Sequence, residues 1–573
     1  MAAGATCILD TAFGVGAGFL RAWQDSADIL PRPAQLHYVG LMESGDWPLA
    51  ITARPPATGA ASGPHALALS QALCALSIGK GPSPGFYRLP FDQGRVLLTL
   101  CLGQRDTSLA QLVMQTDHIV LGMDQAWTAA QLHRLQALAR RGTTLAYAGG
   151  AGQDAGKPAL DAALWKPRGD GTLVFDPTWA LRSSRAAPVR VFEKPGHCTV
   201  VGAGISGALV AHTLALRGWQ VTVLEQQASP TAGASGLPAG LVSASGNSPA
   251  DPLYGLTRSA YHLTRQILDS MLVQGQDWDE GGAMRAYAPD ARRSRNSIAS
   301  APLRQNPEMP AHANARSQWR AEALWLKPQA LIRACLSTPG LRLHCEAAVQ
   351  RLHFENAKWH ALDARGQPIA SSELIVLCNA MDAVRLLSNT DAVAADVLSI
   401  AARRALTQLH PLCGSISSGP STDLPGKPAL PVQGHGHFLP AVPGTQGLQW
   451  LAGAGFEADE SGSQADCHRA NLARAAPLLP DLAGALQAQY EAGHLSLWRG
   501  QRCVSHDRLP LVGPATTNAE NGLWMCLAMG ARGLTFAALC AQLLTARLMA
   551  EPLPLPKRLA RLLDVQRLQG RDS

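Results

Sequence analysis

"VVGAGISGALVAHTLALRGWQVTVLEQ", residues 200–226, decides how this chain is read. An apolar strand enters a glycine turn, then an apolar helix and a second strand, which makes one βαβ unit from Cys198 to Glu225. Gly202, Gly204 and Gly207 keep the spacing G-x-G-x-x-G, with Ala203, Ile205 and Ser206 completing the loop. The first glycine permits the tight turn, the second lets a pyrophosphate reach the backbone, and the third lets helix and strand pack closely. Glu225 closes the second strand, where a carboxylate about 20 residues on accepts from ribose hydroxyls. These residues are the candidate dinucleotide site, and the fingerprint alone leaves NAD and FAD open.

Around this unit lie 573 residues, more than one hydrophobic core usually supports, so two or three domains are expected. The composition, 47% hydrophobic and 16% charged, is that of a folded protein. A net charge of +7 permits an anionic partner without requiring one. The 12 cysteines include no CxxC pair and no His/Cys cluster at ligand spacing. That argues for reduced thiols in the cytoplasm and against a metal site or a disulfide framework. The most hydrophobic run, residues 198–216, carries His212 and the glycine pattern, so it reads as buried strand and helix rather than a membrane span. The N-terminus shows no basic region followed by an apolar stretch and cleavage site, so no secretory signal is expected.

A second glycine-rich stretch, "DTAFGVGAGFL", occupies residues 10–20. From residue 1 to about 180, "ATCILD", "LHYVGLM", "RVLLTLCLG", "HIVLGM" and "GTTLAYAGG" read as strands. "GFLRAWQ", "ALALSQALCAL" and "AAQLHRLQALARR" between them have helical spacing, which predicts a parallel α/β sheet. Residues 181–197 read as a linker, because polar, basic and proline residues break all periodicity. The arginine-rich residues 285–320 read as a solvated loop, and residues 400–456 as short strands with glycine turns.

Downstream order separates the cofactors. "TAGASGLPAGLV" follows soon after Glu225, then "LRLHCEAAVQRL", "ELIVLCNAMDA", "RGQRCVSHDRLPLVGP" and "GLWMCLAMGARGLTFAAL". This order resembles FAD enzymes of the D-amino-acid oxidase and glycine oxidase superfamily. "GASG" at 233–236, "GHFLP" at 436–440, "HDRLPLVG" at 506–513 and "GARGL" at 530–534, with the N-terminal part in front, resemble the bifunctional tRNA 5-methylaminomethyl-2-thiouridine biosynthesis proteins (MnmC type). In that family an S-adenosylmethionine methyltransferase precedes an FAD-dependent oxidoreductase.

The resemblance implies an α/β chain with an N-terminal Rossmann-like methyltransferase fold at 1–180, the linker at 181–197 and an oxidoreductase at 198–573. The latter would combine a Rossmann-type FAD-binding domain (about 198–285, 325–385 and 500–550) with an α+β substrate domain (about 390–498), as in D-amino-acid oxidase. It implies FAD-dependent oxidation of the carboxymethylaminomethyl group on a wobble uridine of tRNA, releasing glyoxylate and leaving aminomethyluridine. Ala234, Ser235, Gly236 and Val349 would join the FAD site. Gly530, Arg532, Gly533, Leu534 and Thr535 would bring a helix N-terminus to the flavin's pyrimidine edge. A glycine-like carboxylate calls for a guanidinium fork, and Arg502 and Arg532 stand at the motif positions where related amine oxidases keep an arginine. His437 stands where the family often carries tyrosine; it faces the substrate, or it is a pocket wall.

For tRNA, Arg285, Arg292, Arg293, Arg295, Arg304, Arg316 and Arg320, with Lys557, Arg558, Arg561 and Arg567 in the tail, offer phosphate contacts. The expected partner is tRNA alone, with no DNA and no membrane, and the protein is expected as a monomer. The N-terminal part departs from the family. Met42 or Glu43 stands where a ribose acid belongs, Gln104 where aspartate meets adenine, and Gly122 where the substrate loop has aspartate. The chain also begins at the first nucleotide strand, without the family's preceding segment. A degenerate methyltransferase is therefore expected, with S-adenosylmethionine a cofactor only if that part is active. The alternative is a small-molecule amine or amino-acid oxidase, glycine oxidase-like, carrying an unrelated N-terminal appendage.

Overall fold

The computed structural model describes residues 5–28, 35–47, 63–77, 82–123, 126–148, 158–179, 191–246, 248, 250–286, 317–388, 398–422, 424–434, 436–453, 455 and 462–569. The chain forms two compact units: residues 1–195 with 213–219 and 542–562, and residues 196–212 with 220–541 and 563–573. Arg292, Arg293, Arg295, Arg304, Arg316 and most of the expected linker lie outside the described residues. No helix among the described residues is long and apolar enough to cross a membrane.

In the first unit, β1 (Thr6–Asp10), β2 (Leu36–Met42), β3 (Gly85–Phe91), β4 (Val96–Leu102), β5 (Thr116–Leu121), β6 (Ala139–Tyr147), β7 (Trp165–Pro167) and β8 (Leu173–Phe175) form one sheet. Its order is β3-β4-β2-β1-β5-β6-β8-β7. The central strands are parallel, with Thr6 opposite Leu36 and Ile8 opposite His118. The edges depart from the expected all-parallel sheet, since β3, β8 and β7 run antiparallel to their neighbours. At β3 the cause is local: Asp92, Gln93 and Gly94 take φ of 46°, 54° and 82°, so the chain folds straight back into β4.

Helices α1 (Ala17–Asp28), α2 (Pro64–Leu76), α3 (Arg105–Gln111) and α4 (Ala129–Gln136) belong with this sheet. Helix α4 is shorter than its spacing suggested. Ala139, Arg140 and Arg141 pass instead into β6, where Arg140 pairs with Asp117 and Arg141 with Asp176. Phe19, Trp23, Tyr38 and Phe91 pack edge-on or tilted in one apolar core. A buried ionic group sits in the same unit. Arg217 Nε and Nη2 each donate to Glu551 at 3.2 Å, Arg217 Nη2 also donates to Gln542 at 2.9 Å, and His37 Nε2 lies 3.7 Å from Glu551.

In the second unit, β9 (His197–Val201), helix α5 (Ile205–Ala215) and β10 (Gln220–Leu224) realise the βαβ pattern. β9 begins at His197, inside the range read as linker. Further strands are β11 (Gly240–Ser243), β12 (Trp278–Glu280), β13 (Ala283–Ala286), β14 (Ser317–Arg320), β15 (Ala323–Leu326), β16 (Leu341–His344), β17 (Arg351–Glu355), β18 (Lys358–Leu362), β19 (Pro368–Ser372) and β20 (Leu374–Leu377). After helix α6 (Ile400–Thr407) come β21 (Leu409–Pro420), β22 (Val432–Gln433), β23 (His437–Gly444), β24 (Gly447–Gly453), β25 (Ser496–Ser505), β26 (Leu511–Pro514) and β27 (Leu523–Leu527), then helix α7 (Gly533–Met549), of which residues 533–541 belong to this unit.

A six-stranded sheet in the order β16-β10-β9-β20-β27-β26 carries the nucleotide turn, and a seven-stranded sheet in the order β14-β13-β22-β23-β24-β21-β25 faces its own apolar core. β11, β15 and β12 form a third sheet, and β17, β18 and β19 a fourth. Two expectations are corrected. Residues 400–407 are helical, because the Ser399 side chain accepts from Ala402 N–H and starts the turn. The two ends of the arginine-rich segment are not loop, since Arg285 lies in β13 opposite Gln318 of β14.

Candidate functional site

One cavity of about 1250 Å³ lies within the second unit. It exceeds the roughly 300–1,000 Å³ usual for a small-molecule pocket, leaving room for a large cofactor and a substrate. Gly202, Gly204, Ile205 and Ser206 line it where β9 turns into α5. Gly202 takes φ of 96°, and a Cβ there would lie 2.9 Å from the Asn379 backbone. Gly207 is not in the wall; a Cβ there would lie 1.8 Å from the Gly202 carbonyl, so it sets how closely helix and turn pack. Ala203 is likewise buried behind the wall and donates its N–H to Glu225 Oε2 at 2.9 Å. Glu225 lines the cavity and keeps lone pairs for further donors.

Ala234 and Ser235 face the same space, and Ser235 Oγ accepts the Ile205 N–H at 2.9 Å, tying the second loop to the first. Gly236 lies behind it in a turn, where a Cβ would meet the Thr231 carbonyl at 2.1 Å. Val349 lines the wall after β16. At the other side Gly530, Arg532, Gly533, Leu534 and Thr535 bring the N-terminal turn of α7 to the cavity. The dipole of α7 favours an anion there. Burial holds the Arg532 guanidinium below its ordinary pKa, helped by the neighbouring Arg508 charge.

Arg502, on β25, lines the cavity and donates through Nη1 to the Gly455 carbonyl at 2.9 Å. His437, at the start of β23, lines it too; burial first, then the Arg502 charge, pushes its imidazole down to about 4. Asn379 was missed at the sequence level: it follows β20 into the cavity, and its Oδ1 is buried without a hydrogen-bond partner. It stands within the stretch "ELIVLCNAMDA", but the spacing there does not single it out, because its place comes from the crossing of β20 beside β9. The glycine cradle, the acid and the two helix N-termini fit a dinucleotide such as FAD.

Several arginines expected to meet phosphate are otherwise engaged. Arg320 donates to the Ala244 and Gly246 carbonyls, and Arg567 to both Asp507 oxygens and the Leu509, Pro510 and Asp564 carbonyls. Asp507 also accepts from Ser505 and Leu509, fixing the turn before β26. Arg558 and Arg561 are exposed, and Lys557 and Arg285 are half-buried.

The first glycine loop keeps its shape but not its space. Gly14 and Gly16 take φ of 53° and 83°. Phe13, 2% exposed, fills the turn; a Cβ at Gly40 would meet its ring at 2.4 Å, and one at Gly16 would do so at 3.1 Å. The Tyr38 hydroxyl donates to Asp10 Oδ2 at 2.5 Å and closes over Gly18. Met42 is buried at the end of β2, while Gln104 is exposed and gives α3 no side-chain cap. Thr11 accepts the Gly122 N–H, Trp127 donates to the Gly122 carbonyl, and the Arg105 guanidinium lies 4.5 Å over the Trp127 ring. Among the described residues, buried Met42 and exposed Gln104 supply no carboxylate at the expected ribose and adenine positions, Glu43 beside Met42 is half-buried, and the turn is packed with the chain's own rings, so the loop fits S-adenosylmethionine poorly.

Residues 197–547 match the family described as FAD dependent oxidoreductase. The tRNA 5-methylaminomethyl-2-thiouridine biosynthesis bifunctional protein MnmC of Albidiferax ferrireducens is 36% identical over 98% of this chain and 92% of its own length. The protein of the same name from Polaromonas naphthalenivorans is 36% identical over 97% of this chain and 89% of its own. Among solved structures, glycine oxidase from Geobacillus kaustophilus is 18% identical, with a TM-score of 0.47 over 62% of this chain and 94% of that one. With its nucleotide cradle at Gly202–Gly207 inside the matched region, the chain belongs to the tRNA 5-methylaminomethyl-2-thiouridine biosynthesis bifunctional protein family and contains an FAD-dependent oxidoreductase domain.

Proposed function

We propose that the protein oxidises the carboxymethylaminomethyl side chain of a wobble uridine in tRNA, releasing glyoxylate and leaving aminomethyluridine. The observation that carries this is a dinucleotide cradle and a guanidinium, Arg502, lining one cavity, in a chain whose relatives are named for biosynthesis of a modified tRNA uridine. FAD held there supplies the acceptor for the hydride leaving the carbon between nitrogen and carboxylate. Gly202–Gly207, Glu225, Ser235 and Val349 hold the adenosine and diphosphate side, and Gly530–Thr535 the other end. Arg502 binds the substrate carboxylate, which fixes the reacting carbon, and Arg532 adds positive potential beside it. The substrate imine is then hydrolysed by water into a primary amine and glyoxylate.

S-adenosylmethionine is not part of this reading, because the first loop fits it poorly; methylation of the aminomethyl product falls to another protein. Lys557, Arg558 and Arg561, with Arg285, Arg292, Arg293, Arg295, Arg304 and Arg316, are the candidates for tRNA phosphates, whereas Arg320 and Arg567 are held by the chain's own oxygens. The protein acts in the cytoplasm as a monomer.

Anaerobic mixing of the holoprotein with tRNA bearing the carboxymethylaminomethyl group tests the proposal. Flavin absorbance is expected to bleach with that tRNA and far more slowly with free glycine or N-methylglycine. Bleaching by the small amines alone would overturn it in favour of an amine oxidase.

A further inference from the structure

His437 is held at the first position of β23, opposite Gln433 of β22 and Gly453 of β24. The strand cannot shift outward easily, because Gly436 packs against the Gly453 carbonyl, where a Cβ would come within 2.6 Å. From this position the side chain lines the cavity, and its Nε2 is shut off from solvent without a hydrogen-bond partner. Buried polar atoms are normally paired, so an unpaired one in a cavity wall marks a place where a ligand atom belongs. Arg502 of β25 is the charged group facing it, and together with burial it keeps the imidazole neutral at neutral pH.

We propose that His437 Nε2 accepts the single N–H of the substrate's secondary amine while Arg502 holds the carboxylate. This rests on the substrate class proposed above. With its one N–H committed to Nε2, the amine lone pair has one orientation, in line for the carbon–hydrogen bond that breaks. A primary amine has two N–H groups and is not fixed in this way, so His437 also sets a preference for secondary amines. Once the substrate carboxylate neutralises Arg502, the imidazole becomes a better acceptor, coupling the two contacts.

The test compares wild type with His437→Leu and His437→Gln, using flavin content to show that each variant is folded. Anaerobic flavin reduction is followed with the carboxymethylaminomethyl tRNA and, separately, with N-methylglycine. (Methylthio)acetate, a thioether with no N–H, serves as the binding probe. His437→Leu is expected to slow reduction about 10- to 100-fold, His437→Gln to restore at least half of that loss on a logarithmic scale, and (methylthio)acetate to bind all three alike. Equal reduction rates in wild type and His437→Leu would overturn the assignment, as would a parallel loss of (methylthio)acetate binding. If only N-methylglycine reduces the wild type, the tRNA reading fails and the N-methylglycine rates still decide the role of His437.

Discussion

A methyl group placed at Gly414 would lie 2.3 Å from Arg502 Nη2 and 2.6 Å from its Cζ. Gly414 on β21 sits opposite Gly500 of β25, so the guanidinium crosses the face of the neighbouring strand in a gap that only glycine leaves. Gly414→Ala is therefore expected to push Arg502 off its place and lower kcat/KM about tenfold or more, chiefly through KM, with flavin content unchanged. Arg502→Lys is expected to do the same, because an ammonium cannot grip both carboxylate oxygens. Steady-state kinetics of a folded, yellow Gly414→Ala protein with unaltered KM would contradict the anchoring role.

The cofactor end makes a separate prediction. Glu225 holds the Ala203 N–H at 2.9 Å and that of Gln227 at 3.0 Å while lining the cavity. Glu225→Ala is expected to weaken FAD binding about tenfold or more, read by titrating apoprotein with FAD. Gly207→Ala is expected to give colourless protein, since its Cβ would overlap the Gly202 carbonyl.

S-adenosylmethionine should leave the protein's Tm unchanged. A ligand at about 100 times its Kd stabilises a protein by roughly 3 kcal/mol, which a thermal scan reads easily. Loss of the Tyr38 hydroxyl, in Tyr38→Phe, leaves Asp10 Oδ2 unpaired in the core and is expected to destabilise the first unit by about 1–3 kcal/mol without creating a binding response.

Acid sensitivity follows from buried groups. His37 is pushed down to about 4, by burial first, with Glu551, Arg88, Arg217 and Asp117 as its charged neighbours. Its neutral form is the folded one, so the unfolded chain takes up the proton first as pH falls below about 6.5. Stability is then lost between about pH 6.5 and 4 and is flat above. Glu551 is held down to about 2 by Arg217 and His37 against the cost of its burial. Its contribution is present above about 4.5 and is lost as pH falls through 2. Denaturant midpoints measured from pH 8 to pH 4 should fall mostly below 6.5, and His37→Leu should flatten that limb.

Arg217 and Glu551 are each 5% exposed and bonded twice to one another. Removing one partner strands the other charge, so Glu551→Gln or Arg217→Met is expected to cost about 3–5 kcal/mol, measured by chemical denaturation. A loss below about 1 kcal/mol would show that the pair is relaxed or solvated in solution.

What the sequence revealed and what it hid follow one physical division. The Gly202 turn, α5 and Glu225 were legible because their contacts lie within one βαβ unit, where spacing alone fixes geometry. Asn379, Gly414 and the Arg217–Glu551 pair were not, because strands distant in the chain bring them to their partners. Residues 400–407 read as strand since the Ser399 cap is a single hydroxyl. The arginines show the same limit from the other side: nothing in the sequence distinguishes Arg567, spent on Asp507 and three carbonyls, from exposed Arg561. The first glycine loop was readable as altered from its missing acids, whereas its filling by Phe13 and Tyr38 emerged only from packing.

The most direct measurement is nucleoside analysis after a single anaerobic turnover with carboxymethylaminomethyl tRNA, with and without S-adenosylmethionine, alongside assay of glyoxylate. One aminomethyluridine and one glyoxylate per flavin reduced, unchanged by S-adenosylmethionine, is the predicted result. Unaltered tRNA beside oxidised flavin, or conversion onward to methylaminomethyluridine when S-adenosylmethionine is present, would contradict it.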